Sequence, residues 1–209
     1  MIDDNLPSIL EVVEQVRESG ERLIELDASA VVTLQPAAAC LIASAARAAR
    51  DSGKNLGIHQ LGEHLQPLLL RLDPAIQITG TRRATLSDPK PGEDAIVARV
   101  VAASGDANTA VNELASYIAR FIPKEDEEVM VQDQYGLLIH HAIQPALAHV
   151  LAELIDNVFS HAATAQFPNP QAYIAVQSYP NGDLLRVAVV DDGCGLQASL
   201  RALVENPPR

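Results

Sequence analysis

The stretch AYIAVQSYPNGDLLRVAVVDDGCG, Ala172 to Gly195, decides the fold. Two apolar runs, Ala172 to Tyr179 and Leu184 to Val190, bracket Pro180-Asn181-Gly182-Asp183. Asn-Gly between two such runs is the strongest short-range hairpin signal, because the tight turn needs positive φ at its central residues. The second run leads straight into Asp191-Asp192-Gly193-Cys194-Gly195. Glycines at a strand end let the backbone approach a ligand and adopt positive φ. A carboxylate there, Asp191, can accept from the amino group of an adenine.

Upstream, residues 134–163 read as one long helical tract. Pro145 lies inside it and is expected to kink it or split it in two. Glu153, Asn157 and His161 recur at i, i+4 and i+8, which puts them on one helix face over about 12 Å. Such a row can run along a triphosphate. Mg²⁺ prefers oxygen ligands and keeps several waters, so an Asn oxygen with phosphate oxygens is a suitable set. Glu153 could orient or deprotonate a water, and His161 could donate to a phosphate. Taken singly, the row is also what a polar surface stripe looks like, and Asp-x-Gly-x-Gly is a common turn. The order helix, loop, hairpin, Asp-Gly turn is the more specific signal. His140, His141 and His149 lack a carboxylate or thiol at ligand spacing.

The first eighty residues alternate helix and strand: helix Ile9 to Ser19, strand Leu23 to Leu26, helix from Pro36 to Arg50, strand Lys54 to His59, helix Leu61 to Leu72, strand Ile76 to Thr79. This alternation predicts a parallel or mixed sheet with helices packed on it. Residues 81–94 are polar with two prolines and read as a linker between domains 1–80 and 95–209. Beyond it, Ala95 to Ala102 reads as a strand and Asn108 to Phe121 as a helix.

Hydrophobic residues make up 48% of the 209, aromatics only 3%, and Trp is absent; the core is therefore built mainly from Ala, Leu, Val and Ile. A net charge of −12 argues against a nucleic-acid surface, which needs clustered Lys and Arg. Cys40 and Cys194 match no metal spacing and read as reduced thiols. No apolar run reaches the roughly 18 residues of a membrane span. The start MIDDNLPS lacks a signal peptide's basic residues, so a cytoplasmic location is expected.

The Glu153–Asn157–His161 row with Asp191-x-Gly193-x-Gly195 resembles the N box and first glycine box of the GHKL fold, the ATP-binding domain of histidine kinases, anti-sigma kinases and gyrase. The resemblance covers about residues 94–209. It implies ATP and Mg²⁺ as cofactors, with Asn157 on the metal and Asp191 on adenine. Gly193 and Gly195 would shape the pocket, and Glu153 would be the base of the gyrase-like branch. His161-Ala162 is kinase-like and Asp156 gyrase-like. His140 with Pro145 resembles a phosphoacceptor box but lies too close to Glu153. The family's lid and second glycine box have no counterpart, and the chain ends fourteen residues after Gly195. An incomplete, inactive fragment is the expectation, with an unpaired sheet edge that invites a homodimer.

Residues 21–72 resemble a STAS domain, the fold of anti-sigma factor antagonists, through Leu26-Asp27-Ala28-Ser29-Ala30-Val31 and Ser52-Gly53-Lys54-Asn55-Leu56. Where that family carries its phosphorylated Ser, this chain reads Gln35-Pro36-Ala37-Ala38, so that switch is absent. The expected whole is an α/β, two-domain protein: a STAS-like βαβα domain and an incomplete GHKL α/β sandwich. The implied role is a regulatory protein that binds Mg·ATP, transfers a phosphoryl group or hydrolyses ATP slowly, and meets a sigma-factor or signalling partner. The alternative is a non-enzymatic partner-binding module with a degenerate nucleotide site. A gyrase-type mechanical ATPase is the third class.

Overall fold

The computed structural model describes residues 6–86, 96–119, 139–161, 169–179 and 184–193. Helix α1 (Leu6–Glu18) precedes a βαβαβ run: β1 (Leu23–Asp27), α2 (Pro36–Asp51), β2 (Asn55–His59), α3 (Gln66–Leu72) and β3 (Gln77–Thr79). A second run follows: β4 (Ile96–Val101), α4 (Ala107–Ala119), α5 (Ile139–His161), β5 (Ala172–Tyr179) and β6 (Leu184–Asp191). The chain is mixed α/β with two three-stranded sheets, ordered β1-β2-β3 and β4-β5-β6. The first is all parallel and the second all antiparallel. The expected hairpin is therefore present as β5 and β6; its turn residues 180–183 lie outside the described residues.

The layers stack as sheet, helices, sheet, helices. One core joins Ile24, Leu26, Leu56 and Ile58 of the first sheet to α2 and α3, and continues without a break to Ala98, Tyr173 and Ala175 of the second. A second core joins the opposite face of β4-β5-β6, through Val101, Ile174 and Val176, to Leu114 and Ile118 of α4 and Leu151 and Ile155 of α5. The middle sheet is thus buried on both faces, which is why β4 shows no polar-apolar alternation in sequence.

Helix α2 is what allows this stacking. Nine of its residues are buried, six of them alanines. Alanine on every side of a helix gives a thin rod, so two sheets can approach it from two directions without interlocking long side chains. The facing surface matches: Ala98, Ala175 and Ala188 sit side by side across β4, β5 and β6. Cys40 is buried in this rod, and burial pushes its thiol up to about 12, so it stays protonated and unreactive at neutral pH.

Three local expectations change. Helix α3 begins at Gln66 rather than Leu61, since Gly62 and a turn at 63–65 precede it and Pro67 suits a first helical turn. Pro145 does not split its helix; α5 runs unbroken through it for 23 residues. Pro145 is the seventh helical residue and is exposed. Of the predicted linker, residues 81–86 are pinned: Gln66, fully buried, donates to the carbonyls of Leu61 and Arg82 and accepts from the Ala84 amide.

At the carboxyl ends of the parallel strands, Asp27, His59 and Thr79 are register neighbours. His59 Nδ1 pairs with Thr79 Oγ1 at 3.1 Å. Gly80 has φ +75, and a Cβ there would lie 2.6 Å from His59 Cε1. Gly80→Ala is expected to cost about 1–2 kcal/mol, from a strained backbone and a displaced ring. Urea denaturation checks it, and a variant as stable as the parent would contradict this account.

Candidate functional site

Helix α5 is oriented by Leu151, Ile155 and Val158, which are 2%, 0% and 5% exposed and lie at i, i+4 and i+7. Seating that stripe on the middle sheet turns Glu153, Asn157 and His161 to the exposed side, as the spacing predicts. Their exposure also brings two apolar neighbours outward: Val150 is 54% and Leu154 42% exposed. The row is therefore a mixed polar and apolar face. Asp156 accepts from Ser160 Oγ at 3.4 Å, one helical turn on.

Strand alternation decides where the two aspartates point. Asp191 pairs with Ala172, and Val189 with Ile174, all on the face that α5 covers. Asp191 is exposed at the end of β6, and its Oδ1 accepts from the Gly193 amide at 3.0 Å. That turn leaves its other oxygen for an outside donor. Gly195 lies outside the described residues. The structure thus carries the α5 row and Asp191 on the same side of the middle sheet.

Asp192 points the other way, and sequence reading did not single it out. It accepts from the Gln171 amide at 2.6 Å, from Tyr173 OH at 3.2 Å and from Arg47 NH1 at 2.6 Å. Arg47 belongs to α2 and also donates to the Asn169 carbonyl at 3.2 Å. Burial works against the Arg47 charge, but Asp192 and Tyr173 outweigh it and hold its pKa above the usual value. The Tyr173 hydroxyl is pushed up, by burial first and then by the Asp192 charge. A groove of about 420 Å³ opens beside this pair, lined by Arg17, Lys54, Asp51 and Pro170 among others. It lies on the α2 side of Asp192, away from the α5 row. Parity along β6 is the signal that could have separated the two aspartates; their distant partner Arg47 has none.

Among the described residues, no group of three His, Cys, Asp or Glu side chains could hold a metal ion. No described helix is long and apolar enough to cross a membrane. At the start of α2, Gln35 makes no capping hydrogen bond and Pro36 occupies the first turn, so no hydroxyl stands at this helix start.

The class so defined is a mixed α/β chain of two small sheets, with its candidate site at the end of an antiparallel hairpin beside a long helix. No protein-family model, curated protein or solved structure matches it.

Proposed function

We propose that the chain is a nucleotide-binding regulatory protein: a GHKL-like half that takes Mg·ATP through Asn157 and Asp191, joined to a STAS-like interaction module. What supports this reading is the β5–β6 register, which sets Asp191 on the side of the middle sheet that α5 covers; Glu153, Asn157 and His161 are exposed on α5, on its face turned away from the sheet. The donor set suits the ligand. An exposed carboxylate oxygen of Asp191 would accept from an adenine amino group, and exposed Leu154 and Val150 offer apolar surface beside the row. Helix α5 carries no Lys or Arg, so apart from a hydrogen bond from His161 its row would meet a triphosphate through a cation. Asn157 contributes one oxygen, and the rest of the Mg²⁺ shell would come from phosphates and water. Bound Mg²⁺ would neutralise phosphate charge. Glu153 is placed to orient a water, and His161 to donate to a phosphate.

The test is a titration of Mg·ATP followed by calorimetry or amide shifts. Wild type should respond only with Mg²⁺ present. Asp191→Asn and Asn157→Ala should each weaken binding about tenfold or more, as expected for one lost charge-assisted contact. Equal responses in all three proteins would overturn the assignment.

A second reading is favoured by Val150 and Leu154, whose exposure beside the row suits a protein partner as well as a nucleotide. In that reading the same face binds a signalling partner and wild type gives no Mg·ATP response.

A further inference from the structure

We propose that Arg47, supplied by the N-terminal half, is a positioning residue for the nucleotide turn Asp191–Gly193, so that the state of α2 sets ligand affinity; this rests on the nucleotide reading above. The turn is fixed from two sides. On the α5 side, Asp191 Oδ1 holds the Gly193 amide. On the α2 side, Asp192 closes the end of the hairpin, its carboxylate taking the Gln171 amide and its own amide donating to the Gln171 carbonyl at 3.3 Å. The carboxylate that does this is only 11% exposed and stands against the Tyr173 ring and hydroxyl. Its only cationic partner among the described residues is Arg47.

Remove that cation and Asp192 is a charge only 11% exposed with no cationic partner among the described residues, which favours turning it to water. Turning outward takes the Gln171 bond with it, and the backbone of the turn follows. The contact is also built to open. Arg47 is 22% exposed and the 420 Å³ groove brings solvent to it, so the pair can part without unpacking the core. Asp51, one turn on, stands 3.6 Å from Arg47 Nε as a waiting alternative partner. Helix α2 is a 16-residue rod, buried at its start by Pro36, Ala38 and Ala39, so a displacement of the helix as a whole would carry Arg47 with it.

Arg47→Ala, Arg47→Lys and Asp192→Asn, made in the full chain, test this. Amide exchange at Gln171 and Gly193 should rise about tenfold or more in Arg47→Ala, with exchange in α3 unchanged. Arg47→Lys should recover part of the protection, and Asp192→Asn, which keeps an acceptor, should lose less than Arg47→Ala. Mg·ATP affinity should fall in the same order. Should Arg47→Ala fail to fold, the other two variants carry the comparison. Unchanged exchange at Gln171 and Gly193 overturns the proposal whatever the nucleotide does. So does wild-type affinity in variants whose turn has loosened. A wild type that shows no Mg·ATP response overturns the nucleotide reading, and with it Arg47's role in binding.

Discussion

Ala175→Leu is expected to destabilise the chain strongly, costing about 3 kcal/mol. Ala175 is 0% exposed in the central strand of the middle sheet, with Ala98 and Ala188 on either side. Its methyl faces the helical layer in which α2 is itself mostly alanine. A leucine there would press on a filled layer, in which Leu68, Leu69 and Leu72 of α3 already pack beside the alanines of α2, so helices and sheet must shift apart. Overpacking usually costs about 1–3 kcal/mol, and a site with no collapsible partner belongs at the upper end. For a chain of this length that predicts a fall in Tm of roughly 6–12 °C. Val187→Leu, on an edge strand at a position 41% exposed, is the control and should be nearly neutral. A Tm for Ala175→Leu matching that control would mean the two alanine surfaces are not in close register.

Gln66→Leu follows in size. Its side-chain nitrogen reaches Leu61 O at 3.1 Å, Thr81 Oγ1 at 3.2 Å and Arg82 O at 3.0 Å, while its oxygen accepts from Ala84 N at 2.7 Å. The residue is 0% exposed. Leucine fills most of the same space but leaves the Arg82 carbonyl and the Ala84 amide without their partner. An unsatisfied buried group costs about 1–3 kcal/mol and these two bonds are only part-buried, so a loss of about 2 kcal/mol is expected. Leu61 O keeps the Thr81 hydroxyl, at 2.9 Å, and is the smaller part of that loss. The local consequence is more telling than the global one. Residues 81–86 should become cleavable by trypsin at Arg82 and Arg83 under conditions where the parent chain is not cut. Resistance equal to the parent's would show that something other than Gln66 holds this segment.

Much of the secondary structure is legible in the sequence, for reasons that particular residues make plain. Asn181-Gly182 announces the hairpin, and the Asp51-Ser52-Gly53 signal ends α2, with Gly53 at φ +73. Of the two outcomes expected of Pro145, the split is absent, because a proline's effect depends on its place in the helix, which local sequence does not give. The start of α3 misleads because Leu61 and Leu65 are buried through a turn rather than through helix. The stacking of four layers is less legible still. Alanines are small enough to be buried on any side of a helix, so their periodicity does not say how many surfaces press on α2. At the candidate site, helical spacing sets Glu153, Asn157 and His161 on one face of α5, and that face is exposed. The Asp191-Asp192 pair shows the limit: strand parity separates their faces, but only the folded chain shows that Arg47, 145 residues away, holds the second.

That separation has a consequence on the ribosome. Helix α2 leaves the exit tunnel long before β5 and β6 exist. At about 5–20 residues per second, Asp192 follows Arg47 by roughly 7–30 s. Through that interval one whole side of the helical layer, including the surface that will meet Ala98, Tyr173 and Ala175, has nothing to lie against. The nascent chain is then an open apolar plate rather than a finished first domain. Holdase chaperones should engage it, and slowing translation between Thr79 and Ala172 should raise the fraction lost to aggregation.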